Sequence, residues 1–182
     1  HNRCVTLDLP RPGDRIDVLG MTADELGGSE YYGLMGHIGC RVPQVAAKRN
    51  RAVYRALHAA INQGWVASAH GVFSGGLAVH MALAAIGGAM GVRVDLAKVP
   101  TDTPLRDDRI LFSESAGRLV VTIHPQFCEP FDALFTGLPA ACVGEVANDD
   151  EFVLVGGNGE TICRQTVTTL KQAWQHPFGD LV

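Results

Sequence analysis

Several protein classes are excluded by what this chain of 182 residues lacks. No stretch reaches the roughly 18 uncharged apolar residues that a membrane-crossing helix needs, and His1, Asn2, Arg3 and Cys4 hold no apolar signal core. We therefore expect no membrane and no export, and a cytoplasmic protein. An excess of positive charge is also missing. With a formal net charge of -4, the chain has no extended field to hold a phosphate backbone, so no nucleic acid is expected as a partner. Repeats and low-complexity tracts are absent, which argues against a solenoid or a disordered arm. Cysteine is sparse, odd in number and widely spaced (Cys4, Cys40, Cys128, Cys142, Cys163), so a disulfide framework is not expected and a reducing compartment fits. The one metal-like spacing, His37-Ile38-Gly39-Cys40, offers two ligands where a zinc site needs four, and no metal is assigned to it.

What is present is nearly half apolar, enough for one substantial core and a single domain over residues 1–182. Arg15 to Gly20 alternates polar and apolar after the turn Arg-Pro-Gly-Asp and reads as a strand. Thr22 and Glu25 have capping-box spacing, but Gly27 and Gly28 allow at most one helical turn. Pro43 suits a helix start. Val53, Leu57, Ala60 and Ile61 then give a helical stripe ending near Gly64, with Lys48, Arg49, Arg51 and Arg55 on other faces as a solvated surface or a dock for an acidic neighbour. Trp65 to Ala69 reads as a buried strand, and Gly76 to Met90 as a helix covered on more than one side. Thr101 to Asp108 is a loop, followed by strands at Ile110 to Ser113 and Leu119 to Ile123 around a Glu114 to Gly117 turn. Pro125 to Phe135 is helical with Pro130 as kink or start. Strands at Ala141 to Ala147 and Phe152 to Val155 precede the turn Gly156 to Gly159, then Thr161 to Cys163 and a last helix, Thr166 to Gln175, stopped by Pro177. This mixed order predicts an α+β fold, or α/β layers, in which a mixed β-sheet packs against helices.

Three segments join glycine to polar side chains: Leu26 to Tyr31, with Gly27, Gly28 and Ser29; His70 to Leu77, with Ser74, Gly75 and Gly76; and Phe112 to Arg118, with Ser113, Glu114 and Ser115. Glycine pairs let backbone amides converge on an anion, a hydroxyl adds a donor, and a helix starting at Gly76 would aim its positive end there. The bland alternative for each is a tight turn or a close helix-sheet contact.

Taken together, and in this order, the three segments resemble the carboxy-terminal domain of the aminoimidazole ribonucleotide synthase superfamily, and within it the phosphoribosylformylglycinamidine synthases. The likeness runs from about Gly13 to Pro177 and includes Trp174 in the last helix. It implies one domain of a longer polypeptide in an ATP-dependent carbon-nitrogen ligase of purine biosynthesis. That enzyme phosphorylates the formamide oxygen of formylglycinamide ribonucleotide and then admits ammonia to make the amidine. ATP and magnesium are implied for the full enzyme, lying mainly on an amino-terminal ATP-binding domain of the same polypeptide. A glutaminase subunit is the further partner, the ribonucleotide is the small-molecule substrate, and this domain alone is expected to be inactive. A non-catalytic phosphate- or nucleotide-binding module of the same superfamily is the alternative. Selenophosphate synthetases, thiamine-monophosphate kinases and hydrogenase maturation factors share the fold and rank lower.

The phosphate- or substrate-binding candidates are Gly27, Gly28, Ser29, Ser74, Gly75, Gly76, Ser113, Glu114, Ser115 and Arg118, the last through its planar fork, and His70 is a candidate for proton transfer or phosphate binding because the ordinary pKa of an imidazole lies near neutrality. The family pattern His-Asp-x-Ser-acid-Gly-Gly-Leu is broken here: Gly71 stands for the aspartate, Phe73 for the serine and Ser74 for the acidic residue. Magnesium prefers carboxylate oxygen, so this loop is expected to pack and present amides, as in a degenerate structural copy of the nucleotide site. The competing readings are a hydrogen-bonding structural role for His70, a solvated turn carboxylate for Glu114, and an Arg118 salt bridge to Glu114 or Asp108. For His58 and His80 the expectation is surface or satisfied-core histidine.

Overall fold

A computed structural model describes residues 4–176. Seven strands form one mixed sheet in the order β2-β4-β1-β5-β3-β6-β7. They are β1 (Arg15–Leu19), β2 (Val66–Val72), β3 (Gly91–Asp95), β4 (Arg118–Ile123), β5 (Ala140–Ala147), β6 (Glu151–Val155) and β7 (Thr161–Thr166). All pairings are antiparallel except β3 with β6. The helices are α1 (Glu30–Leu34), α2 (Ala47–Gln63), α3 (Gly76–Gly88), α4 (Asp107–Phe112), α5 (Cys128–Leu134) and α6 (Val167–Gln175). This is the α+β fold with a mixed sheet that the pattern predicts.

Strand alternation divides the core between the two faces. Ile16, Val18 and Val120 point to one face, where Leu77, Met81 and Ala85 of α3, Ile110 of α4 and Val167 of α6 cover them. Leu19, Val121 and Ile123 point to the other, against Val53, Leu57 and Ala60 of α2 and Phe131 of α5. Each fully buried side chain of this size contributes about 1.5–3 kcal/mol. The sheet is thereby clamped by helices on both sides, and the β2-β4-β1 end, from which the site loops spring, is held rigidly.

Several elements differ from expectation. Ile110 to Phe112 belongs to a helix, with Ser113 as its C-cap, rather than to a strand. Asp107 and Asp108 fill the first turn of α4, where the helix dipole favours acids, while Ile110 and Leu111 bury and Phe112 stacks on Tyr31 at 4.5 Å. The segment from Thr22 to Glu25 is not helical: Thr22 bridges Thr101, and the helix cap falls at Ser29. The helix expected from Pro43 begins at Ala47, and ends with Gly64 in the left-handed region (φ 77°) as its spacing requires. Strand β3 falls in a stretch where the sequence reading places no element, although Val92 and Val94 alternate with exposed Arg93. Pro130 falls in the first turn of α5, where its missing N–H costs nothing. Pro177 lies outside the described residues. Among the described residues, no helix is long and apolar enough to cross a membrane.

Candidate functional site

The three glycine-and-hydroxyl segments meet at one carboxylate. Glu114 Oε1 accepts the Gly75 N–H at 2.7 Å and the Glu30 N–H at 3.0 Å. The first amide heads α3 and the second heads α1, so two helix starts converge on one negative charge. Gly75 has φ 87°, a conformation that side chains other than glycine rarely adopt, and this turns its amide toward Glu114. Gly76 (φ 71°) sits where a Cβ would lie 2.6 Å from the Leu111 carbonyl, so glycine there also permits the close approach of α3 to α4.

Around this contact the remaining polar groups are committed to the chain itself. Ser29, 3% exposed, accepts the Tyr32 N–H at 3.2 Å and donates to the Leu26 carbonyl at 2.7 Å. The Gly27 and Gly28 amides donate to the Arg41 and Ile38 carbonyls, both at 2.7 Å. Ser113 donates to the Ala23 carbonyl at 2.7 Å and accepts the Glu25 N–H at 3.2 Å, while Ser115 accepts the Ala23 N–H at 3.0 Å. These two hydroxyls fasten the irregular 22–25 segment that the capping-box spacing misassigned.

Arg118 is 1% exposed and forms the floor of the site. Its guanidinium donates to the Ser113 and Ser115 carbonyls and, at 3.0 Å, to Thr22 Oγ1. Neither Glu114 nor Asp108 forms an ion pair with it, so the salt bridge considered from sequence is replaced by backbone acceptors. Burial pushes its pKa down to about 10, against the opposing pull of nearby Glu25 and Glu114. It stays charged at neutral pH and fixes the Ser113–Ser115 turn from below.

The fourth component is a histidine pair that the sequence does not announce. His70 Nε2 and His80 Nδ1 are 2.8 Å apart, so one ring donates a hydrogen bond to the other, the tautomers setting which. His80 is 8% exposed, and its Nε2 has no partner among the described residues. Burial lowers the pKa of both rings, and for His80 the nearby His70 lowers it further. His70 is therefore a neutral hydrogen-bonding group with Nδ1 as its remaining nitrogen. Phe73, 66% exposed, packs edge-on against His80, and its ring covers Gly71 so closely that a Cβ there would lie 2.4 Å away. Ser74 is exposed beside Gly75.

The structure thus brings Gly75, Glu114 and the start of α1 beside Ser29 to one point, with Ser113, Ser115 and Arg118 beneath. Gly27, Gly28 and the Ser29 hydroxyl face the chain segments they bind. Sequence reasoning missed the Glu30 amide, the 22–25 strap and the pairing of His70 with His80. The ten-residue separation of the histidines gives no helical signal, because one lies on β2 and the other on α3.

The residues of this site do not fit magnesium. Gly71, Phe73 and Ser74 provide no carboxylate, Glu114 is occupied by amides, and no cluster of three potential ligands exists among the described residues. A nucleotide phosphate fits no better at the convergence point, where a carboxylate already holds both amides and would repel it. No chemical step is derived through either group.

By fold, the molecule is an α+β domain with loops gathered at one end of a helix-clamped mixed sheet. The AIR synthase related protein, C-terminal domain family matches residues 11–157, and the chain belongs to that family. It is 30% identical over 177 residues to phosphoribosylformylglycinamidine synthase subunit PurL of Alkaliphilus metalliredigens, covering 96% of this chain and 23% of that protein. It is 36% identical over 144 residues to the corresponding subunit of Thermococcus sibiricus, covering 79% of this chain and 20% of that one. The chain therefore spans between a fifth and a quarter of these relatives. Among solved structures, Thermotoga maritima PurL complexed with FGAR superposes with a TM-score of 0.83 at 21% identity, covering 93% of this chain and 30% of that chain. Escherichia coli HypE, a hydrogenase maturation protein, superposes at 0.65 with 20% identity, covering 91% of this chain and 52% of that one.

Proposed function

We propose that this chain is the carboxy-terminal domain of a cytoplasmic phosphoribosylformylglycinamidine synthase. In this reading it works within a longer polypeptide that converts formylglycinamide ribonucleotide to the amidine using ATP and glutamine, and it is inactive alone. The amino-terminal ATP-binding domain of that polypeptide supplies the nucleotide and magnesium chemistry, and a glutaminase subunit supplies ammonia. Residues 1–182 then form one domain, a degenerate structural half that presents loops to the assembled enzyme.

The observation that carries this reading is the Glu114 carboxylate held by the Gly75 and Glu30 amides. An anion site of the expected geometry is filled from within, and the carboxylates that would bring a metal are replaced by Gly71 and Ser74. Support also comes from relatives that are phosphoribosylformylglycinamidine synthases, and from the fold shared with Thermotoga maritima PurL, which is solved with ATP and with FGAR. The end of α1 and the segment after it carry Leu34 and Ile38, which are 85% and 81% exposed. Apolar surface of this kind calls for a covering neighbour such as the amino-terminal domain.

Co-expression with an amino-terminal ATP-binding domain and a glutaminase tests the proposal. Amidine formation that needs ATP, glutamine and all three components is the expected result, with none from this chain alone. Failure of every such combination to form amidine, with all partners folded, overturns it.

A further inference from the structure

A second feature lies on the exposed side of α2, against the Ser113–Gly117 turn. Between Glu30 and Asp95 the sequence contains no acidic residue, yet it contains Arg41, Lys48, Arg49, Arg51, Arg55 and Arg93. Most other described arginines are neutralised: Arg15, Arg41, Arg93, Arg106, Arg109 and Arg164 each hold a carboxylate, and Arg118 holds backbone carbonyls. Lys48, Arg49, Arg51 and Arg55 form no ion pair among the described residues. Because the chain as a whole is negative, this cationic face is a local construction rather than a by-product of net charge.

Its shape matters as much as its charge. Arg51 and Arg55 lie one turn apart on α2, as do Tyr54 and His58. With Asn50 and Gly117 they line a groove of about 560 Å³, within the size range of small-molecule sites. Tyr54 is 47% exposed, leaving an aromatic face beside two unpaired guanidinium groups. The wall at Gly117 is bare backbone at φ 87°, where a Cβ would strike the Asn50 amide group at 2.2 Å. Asn50 in turn donates to the Ala116 carbonyl at 3.2 Å, which ties the helix to the Ser113–Gly117 turn.

We propose that this groove binds a small phosphate ester bearing a flat ring, with a nucleoside diphosphate as the representative ligand. Arg51 and Arg55 are the phosphate ligands, since paired guanidinium forks match phosphate oxygens. Tyr54 is the stacking surface for the ring, and the His58 imidazole borders the ligand. A concave site with an exposed aromatic suits such a ligand better than the flat, acidic surface of a protein partner. The groove adjoins the turn that carries Glu114 but does not include that carboxylate, and the proposal does not depend on the synthase assignment.

Calorimetry with ADP, adenosine and pyrophosphate on the whole chain at low salt, with NMR shift mapping of α2 amides, is the test. ADP should bind at millimolar concentration or tighter and shift α2. Arg51→Ala with Arg55→Ala, both at exposed positions, should weaken ADP and pyrophosphate at least about tenfold. Tyr54→Ala should weaken ADP about threefold or more while leaving pyrophosphate unchanged. No ADP binding, binding unaffected by the arginine changes, or equal loss of ADP and pyrophosphate on removing Tyr54 each overturns the proposal. So does an acidic peptide that binds α2 when ADP does not.

Discussion

Replacing Glu114 by alanine tests whether the converging loops are held by their own carboxylate. The change leaves two helix-start amides, those of Gly75 and Glu30, without an acceptor. A hydrogen bond to a charged group contributes about 1.5–3 kcal/mol net when shielded. The Gly75 bond is part-buried, so about 1.5–2 kcal/mol is appropriate, and the Glu30 bond is exposed, so about 0.5–1 kcal/mol. Buried Arg118 also loses one of the two carboxylates that favour its charge. The expected total is about 2–3 kcal/mol, a urea midpoint lowered by about 1 M for a slope near 2–3 kcal/mol/M. Glu114→Gln keeps a neutral acceptor and should lose about half as much. Urea unfolding followed by circular dichroism at pH 7 measures both. A loss below about 0.5 kcal/mol for the alanine variant, typical of an unremarkable surface change, refutes the claim that this carboxylate organises the site.

Arg118→Ala should cost more than about 3 kcal/mol, because it strands two carbonyls and the Thr22 hydroxyl in a site with no solvent. Arg118→Lys should recover less than half of that, since an ammonium lacks the planar fork, and the same urea assay reads both. The histidine pair gives a pH signature. The folded rings titrate below their ordinary 6.5, so the unfolded chain binds protons first and stability falls as pH drops below about 6.5, until the folded rings protonate too. Asp17 acts oppositely: its pKa is raised by burial from 3.8 to about 6, and the folded state gains stability as pH falls through that window. The difference in urea midpoint between the parent and the His70→Asn, His80→Asn double variant, followed from pH 7.5 to 5, should isolate the first effect; a pH-independent difference refutes it. Finally, Gly71→Asp should cost less than about 1 kcal/mol, as the exposed Phe73 ring can swing aside, whereas Gly76→Ala should cost more than about 3 kcal/mol against the rigid Leu111 and Phe112 backbone. Thermal unfolding of both variants checks the contrast.

Much of the architecture was legible because burial imposes a period on the sequence. Val53, Leu57 and Ala60 repeat as a helix must, and the apolar run ending at Ile123 reads as a strand because residues of both faces are covered. The segment Ile110 to Ser113 misled for the complementary reason: four residues are too few to tell a helical turn from a strand. What decided it was tertiary, the burial of Ile110 and Leu111 and the stacking of Phe112 on Tyr31. The site was legible in part. Glycine and serine content located the three loops, because only certain residues allow such backbone geometry. Their contents were hidden, since whether an amide faces a guest or a carbonyl across the chain is set by contacts between residues as far apart as Gly27 and Arg41, or Gly75 and Glu114.

The chemistry of the loops follows from that competition for donors. Two helix-start amides aimed at one point make a strong anion trap, and such a trap binds whichever anion is nearest at the highest effective concentration. Glu114, tethered by a turn that Arg118, Ser113 and Ser115 hold from three sides, is always present there. A free phosphate would have to expel this carboxylate and then accept its proximity, with no metal-binding carboxylates at positions 71 and 74 to recruit a neutralising cation. The same Ser113–Gly117 turn contacts Asn50 on α2, so the rigidity that closes one anion site also shapes the wall of the open, cationic groove beside it. Filling the first site from within and leaving the arginines of the second unpaired are therefore two consequences of one distribution of charge: Glu114 stands at the converging amides, and no acid lies between residues 31 and 94.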